Sequence, residues 1–277
     1  MIGGKTIRVW IPAALCALWV VVAATGSWLP LAPNEIHLDR ILLPPSSQGL
    51  LGYDDLGRAI LDRLALGAQT SFLVAAWVVT LSLLIGTTIG AVSGYVGGWV
   101  DHVVVRIIDV LLAFPGILLA IALAGVLGPG IDNVVIALSA VGWVGFARLA
   151  RAQVLAQRQR EHVLAAYALG APARRILFVH VVPMILAPLI VEGTFAVAGV
   201  VIAEAGLSYL GLGVQPPEAS WGSMIRDGAR YMLVAPHMVL APGVALMLVV
   251  LAVNLLGDQL RDYLDVRTRG EMQSAGA

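Results

Sequence analysis

Glu192 stands near the middle of an apolar run, residues 181–203, in a chain of 277 residues. A carboxylate placed there costs about 2.5–3.5 kcal/mol on insertion scales, so it needs a cavity, a partner, an arginine or a proton. Two chemistries fit. Glu192 attracts an amine or a cation along a polar path, or it stays neutral and hydrogen-bonds a neighbouring helix. A second stretch of chemical interest is REHVLAAYALGAPARRILFVHVVP, from Arg160 to Pro183. Its residue types predict a helix from Arg160 to Leu169, stopped by Gly170 in the left-handed conformation. Pro172 suits the first turn of a second helix. Ala165, Ala166 and Ala168 keep the first helix slim enough for a partner's groove. Arg174 and Arg175, near the second helix's N-terminus, oppose its dipole by about 0.3–1 kcal/mol, which lipid phosphates or an acidic partner would offset. The plain alternative is an ordinary basic loop.

Covalent and metal chemistry find no constellation. Gly4-Lys5-Thr6 imitates the end of a phosphate loop, but the upstream glycine and preceding strand that such a loop needs are missing. There is no His-Glu-x-x-His, and GLSYLG is not a Gly-x-Ser-x-Gly elbow, which argues against a membrane hydrolase. The one cysteine, Cys16, lies in an apolar run and excludes an internal disulfide. His37, His102, His162, His180 and His237 are scattered without ligand spacing, so no structural metal and no bound cofactor are expected.

The elements that must position Glu192 and the basic stretch are membrane helices. Of all residues 59% are hydrophobic and 12% charged, with a mean hydropathy of +0.90. Soluble domains carry about 25% charged residues, so this is a multi-spanning membrane composition. Lys+Arg and Asp+Glu balance at 17 each, which speaks against a nucleic-acid binder. Six runs approach the roughly 20 apolar residues that a span requires: 9–28, 71–94, 107–127, 131–146, 181–203 and 233–256. The first is too long for a signal peptide and reads as a retained span. Of the 17 basic residues, Arg40, Arg58, Arg63, Arg226 and Arg230 fall on one side and the other twelve on the opposite side. The bias puts both termini, and the stretch from Arg160, in the cytoplasm.

Outside the membrane, residues 29–70 predict extended chain at Pro44-Pro45 and an amphipathic helix from Leu56 to Leu66. There Ile60, Leu61 and Leu64 oppose Arg58, Asp62 and Arg63. Within the outer segment 204–232, the stretch from Glu204 to Trp221 reads as an ordered gate rather than a loose connector. Glu204, Leu207, Tyr209, Leu210 and Leu212 are followed by Gln215 and the stiff Pro216-Pro217 pair, and Trp221 reads as an interfacial anchor with a half-wet ring. A static plug is the alternative. Ser82, Gly86, Gly90, Gly94 and Gly98 recur every four residues, a helix-packing row within the chain or against a second one. Asp109 is expected to pair with Arg106, one turn away. Pro115, Pro183 and Pro188 are expected to kink spans.

VLAAYALGAPARRILFVHVVP resembles the cytoplasmic Ala-Ala…Gly loop of ABC importer permeases, with Leu164-Ala165-Ala166, Gly170 and Pro183 at that motif's spacing. Leu164 replaces a common Glu and His180 a common Ile. LGYDDLGRAILDRLALGAQTSF, VSGYVGGWVD, GLSYLGLGVQPPEASWGSM and NLLGDQLRDYLDVRTR are similar to segments of the peptide/opine/nickel branch, in order, over residues 50–269. Tyr53 stands for a usual Thr, Ala59 for Asp and Val266 for Pro. The resemblance implies an all-α polytopic protein, six transmembrane helices of the type I importer permease fold, with a coupling helix between spans four and five. It implies residues 1–69 as a first helix and outer segment, 70–260 as the permease domain and 261–277 as a cytoplasmic tail. The coupling set would be Glu161, Leu164, Ala165, Ala166, Gly170, Ala171, Arg174 and Arg175. Implied partners are a second permease, two cytoplasmic ATPases holding ATP and magnesium, and an extracytoplasmic solute-binding protein, at a bacterial inner membrane. The implied cargo is a peptide, with nickel or another small solute as the alternative, and a channel or secondary transporter as the rival class.

Overall fold

The computed structural model describes residues 3–47 and 49–275, with side chains described from Trp10 to Leu264 apart from Ser27 and Gln48. The side chains of Lys5, Arg8, Arg267 and Arg269, used above for orientation, lie outside that range. Among the described residues there is no β-strand, only two isolated bridges, Ser46 to Gly49 and Tyr53 to Ala59.

Helix α1 covers Gly3–Thr25 and contains Pro12. Helix α2 runs 37 residues, Ile60–Val96, and α3 and α4 are Gly98–Leu112 and Gly116–Leu127. Then follow α5, Ile131–Gln157, and the short α6, Glu161–Ala168. Helix α7 is again 37 residues, Ala173–Tyr209, α8 is Trp221–Ala229 and α9 is His237–Ala275.

Four of these, α2, α5, α7 and α9 (over His237–Leu264), are long and apolar enough to cross a membrane. Among the described residues these four, or five with one bent pair counted as a single span, stand against the six runs expected. The third is broken: α3 and α4 meet at 86°. Pro115 has no N–H and disfavours helical backbone at Phe114, so the ladder ends there and restarts from the Pro115 carbonyl, which accepts from Leu118 and Leu119. The described apolar part of α1, Trp10–Thr25, is shorter than a span by itself. Other expected ends move as well. Helix α2 begins at Ile60 rather than near Ser71, and α5 continues past Arg148 to Gln157. In α7 the turns Ile176–Val181 are π-helical just ahead of Pro183, where a wider turn relieves the clash of the ring with the preceding carbonyl.

Two compact units emerge. One combines Met1–Trp77, Ala120–Leu138 and Val197–Leu256, the other Val78–Leu119, Ser139–Ala196 and Gly257–Ala277. The core of the first is built on two buried tryptophans. Trp19 donates its indole N–H to Ala68 O at 3.1 Å and Trp221 donates to Leu64 O at 3.0 Å, so neither buried donor is orphaned. Trp221 is 2% exposed, which corrects the half-wet interfacial anchor expected of it. Burial inside the core wins because its one polar atom has a carbonyl partner there.

The second unit is organised by the glycine row. A Cβ on Gly86 would collide with the Trp143 carbonyl and one on Gly90 with the Ala147 carbonyl, while at Gly94 it would lie 2.9 Å from Arg151 O. Gly86, Gly90 and Gly94 therefore seat α2 directly on the backbone of α5, a packing contact within this chain. Each step of four along α2 meets a step of four along α5, so the two helices run parallel.

Candidate functional site

Helix α6 is terminated as its sequence predicts. Gly170 has φ of +78°, its N–H donates to Tyr167 O, and Ala171 N–H donates to Ala166 O at 3.1 Å. These two bonds form a complete Schellman motif, which satisfies the last carbonyls and fixes the bend. Val163 is buried, and Ala166 and Ala171 pack half-buried against the same core as Ile176, Leu177 and Val181. The opposite face carries Leu164, Tyr167 and Leu169, at 54%, 73% and 88% exposure, with Ala165 and Ala168 also exposed. Glu161, Arg174 and Arg175 surround it, all exposed. The second helix expected after the bend is not a separate element. Pro172 is the N-cap residue of α7, so Arg174 and Arg175 occupy the first turn of the 37-residue helix. Ala166 is half-buried against that core.

The Asp101–Arg151 pair had no signal in the sequence beyond two charges in apolar surroundings. Arg151 donates Nε and Nη2 to the two carboxylate oxygens of Asp101 at 2.5 and 2.6 Å, and Ser93 Oγ donates to Oδ1 at 2.6 Å. Arg158 adds a bond to Gly94 O at 3.0 Å. The bidentate fork pins the start of α3 and the end of α2 to α5. The expected Arg106–Asp109 ion pair does not form among the described residues, and the Asp109 carbonyl accepts from the N–H of Ala113, the C-cap residue of α3.

Glu192 lies on α7, half-buried, and lines a cavity of about 580 Å³ with Leu149, Gln153, Gln157, Phe195 and Arg261. Among the described residues no side chain or backbone group hydrogen-bonds its carboxylate. Glu204 differs in every respect. It is 2% exposed, accepts from Ser71 Oγ at 3.1 Å and Ser208 Oγ at 2.7 Å, and Ser220 supplies a third side-chain bond. A carboxyl so enclosed ties α7, α2 and the turn before α8 together.

Beyond Glu204, the segment up to Trp221 is ordered in detail. Gly211, at φ +86°, closes α7 with a second Schellman motif through Ser208 and Leu207. Gln215 donates its amide to the carbonyls of Gly211, Gly213 and Val214. Ser220 and Ser223 form a reciprocal capping box at the head of α8. Leu207 is buried, whereas Tyr209 and Leu210 are 46% and 57% exposed on the surface of this chain. Pro216 and Pro217 are exposed.

In the segment between α1 and α2 and the first turn of α2, Arg58 and Arg63 are buried rather than facing away from Ile60. Asp54 explains the reversal. Its Oδ1 accepts from the backbone N–H of Leu56 and Arg58, both at 2.9 Å, and its Oδ2 lies 2.6 Å from Arg58 Nε and 3.5 Å from Arg63 Nε. Charge pairing thus overrides an amphipathic pattern read only from polarity. Tyr53, where the related motif has Thr, is buried with its hydroxyl accepting from Arg40 Nη1 at 3.2 Å.

Comparison with known proteins places these features. Residues 86–270 match the family described as binding-protein-dependent transport system inner membrane component. The dipeptide transport system permease protein DppC of Alkalihalophilus pseudofirmus is 44% identical over 235 residues, covering 85% of this chain and 77% of that protein. The glutathione transport system permease protein GsiD of Pectobacterium atrosepticum is 42% identical over 86% of this chain and 79% of its own length. Its namesake from Escherichia coli O157:H7 is 42% identical over 260 residues, 93% of this chain and 86% of that protein. A multi-pass helical chain with this match and these relatives belongs to the family of binding-protein-dependent transport system inner membrane components, as a permease of the ABC importer peptide branch.

Proposed function

We propose that the chain is one of two permease subunits of an ATP-driven importer that moves peptides delivered by a solute-binding protein across the bacterial inner membrane. The observation that carries this is α6, a slim helix held at its base by a buried Val163 and a Schellman bend while its outer face, Leu164, Tyr167 and Leu169, stays apolar and uncovered. Such a face on a loop rich in arginine suits a groove on an ATPase. The coupling set is Glu161, Leu164, Ala165, Ala166, Gly170, Ala171, Arg174 and Arg175, with Ala166 and Ala171 acting as its seat. ATP and magnesium belong to the partner ATPases, and this chain performs no catalysis. The names of the dipeptide and glutathione relatives favour a peptide cargo.

The six-crossing reading, with both termini cytoplasmic, draws support from the parallel packing of α2 on α5. Two parallel spans require one crossing between them, and α3 with α4 is the only segment available to make it. The break is then a bent span rather than a re-entrant hairpin. Residues 1–69, 70–260 and 261–277 serve as entry helix and outer segment, conducting domain and tail. The segment with Glu204, Leu207, Tyr209, Gln215, Pro216, Pro217 and Trp221 acts as the outer gate, its movement hinging on parts other than the Glu204 knot.

The test uses Ala165, which is exposed, rather than Ala166. Ala165→Arg is expected to abolish co-purification of the ATPase subunits while the chain still inserts with its partner permease. Retained ATPase binding and normal peptide uptake in that variant would refute the assignment.

A further inference from the structure

Helix α5 presents Gly145, Leu149, Gln153 and Gln157 at intervals of four residues, hence on one face. Across from them α7 presents Glu192, close enough that a Cβ on Gly145 would lie 3.8 Å from Glu192 Oε1. The cavity of about 580 Å³ between these faces also receives Arg261 from α9. That volume lies within the ~300–1,000 Å³ typical of small-molecule sites.

Three observations distinguish it from packing. First, Glu192 has no hydrogen-bonding or ion-pairing group among the described residues, although it sits 19 residues into a 37-residue apolar helix. The reading of Glu192 as a neutral acid bonded to a neighbouring helix therefore has no bond to rest on. Second, Gln157 Oε1 is shielded from solvent yet has no hydrogen-bond partner, an acceptor left waiting in the same wall. Third, Arg261 lines the same space without approaching Glu192 to ion-pair distance. An acid and a base that share a cavity and do not close on each other present both charges to whatever enters.

We propose that this cavity is a waypoint for a zwitterionic peptide, in which Glu192 receives the ammonium end, Gln153 and Gln157 offer amide hydrogen bonds, and Arg261 faces the carboxylate. The inference rests on the peptide-importer reading above and names the step within this subunit at which free ends are sensed. A carboxylate in a confined, low-dielectric pocket attracts a cation far more strongly than it would in bulk water. An N-blocked peptide loses that attraction and leaves Glu192 uncompensated.

The test uses the whole importer in nanodiscs, in a Cys16→Ala background, with Gly145→Cys as a reporter beside Glu192. Two methanethiosulfonates of similar size are compared, ethylammonium and ethylsulfonate. Reaction is expected to favour the cationic reagent by about tenfold relative to a free thiol, from a single nearby charge. Glu192→Gln should remove most of that preference and Glu192→Asp should retain it. Millimolar alanyl-alanine should slow labelling when Glu192 is present, and N-acetyl-alanyl-alanine should not. An unreactive cysteine, a preference unchanged in Glu192→Gln, or equal protection by both peptides would overturn the proposal. Binding-protein-driven uptake in the same preparation separates the two readings. Reporter importer with Glu192 intact that labels as expected but moves no peptide sinks the cargo assignment and leaves the charge sensing intact.

Discussion

Replacing Gly90 with alanine tests whether the contact between α2 and α5 is as close as the structure has it. In an exposed helix interior the change would be favourable by about 0.5–1 kcal/mol, because alanine has the better helix propensity. Here the added methyl would fall on the Ala147 carbonyl, with Ala147 C and Cα both at 2.8 Å. These are backbone atoms of a neighbouring helix and have no rotamer to change. The two helices must separate, loosening Gly86 against Trp143 and Gly94 against Arg151 in the same row. Overpacking of this kind costs about 1–3 kcal/mol, which exceeds the propensity gain. Gly199, also in a helix, is the control, since a Cβ there meets nothing within 4 Å. Thermal unfolding of detergent-purified protein, followed by size-exclusion survival, should show Gly90→Ala below wild type and Gly199→Ala equal to it or above. If the two variants shift together, or Gly90→Ala is neutral, the close approach is wrong.

Arg151→Lys keeps the charge but loses the two-pronged contact to Asp101, and is expected to cost about 1–3 kcal/mol, read as faster proteolysis between α2 and α3. Glu204→Gln retains an acceptor for the surrounding serines and should leave residues 204–221 intact. Glu204→Leu strands the hydroxyls of Ser71 and Ser208 and should make residues 210–220 protease-sensitive. For orientation, Leu50→Cys in a Cys16→Ala background should react with an impermeant thiol reagent on intact spheroplasts. Leu50 is 70% exposed, whereas Gly49 abuts the Tyr53 ring and makes a poor probe; absence of labelling until the cells are opened would invert the topology.

Helices α5, α6, α7 and α9 were legible because apolar length and glycine punctuation speak locally. The Gly170 turn and the Gly86–Gly94 row are the clearest cases, since each glycine does there what its missing side chain permits. What escaped was long-range. The break at Phe114–Pro115 could be read as a mild kink in an otherwise apolar run, and only the ladder's restart fixes it at 86°. Arg58, Arg63 and Arg151 look like solvent charges until Asp54 and Asp101 are seen beside them. Trp221 has the composition of an interfacial anchor, and nothing in sequence reveals the Leu64 carbonyl that lets it sink. The cavity at Glu192 needed the i, i+4 face of α5 and the turn of α7 to be placed together.

The length of α2 has a mechanical consequence. At 1.5 Å per residue its 37 residues form a rod of about 55 Å, against roughly 30 Å of hydrocarbon. The helix is a mast longer than the hydrocarbon is thick, and the ladder of backbone bonds along it contains no proline at which to flex. Pivoting about its midpoint by only ~5° would carry each tip more than 2 Å, a stroke set by leverage rather than by any local rearrangement. Spin labels at Leu61 and Val96, both exposed, would therefore keep a separation of about 52 Å throughout the transport cycle, while either label measured against a fixed reference would swing. A shortening between those two positions would show that the mast buckles instead of tilting.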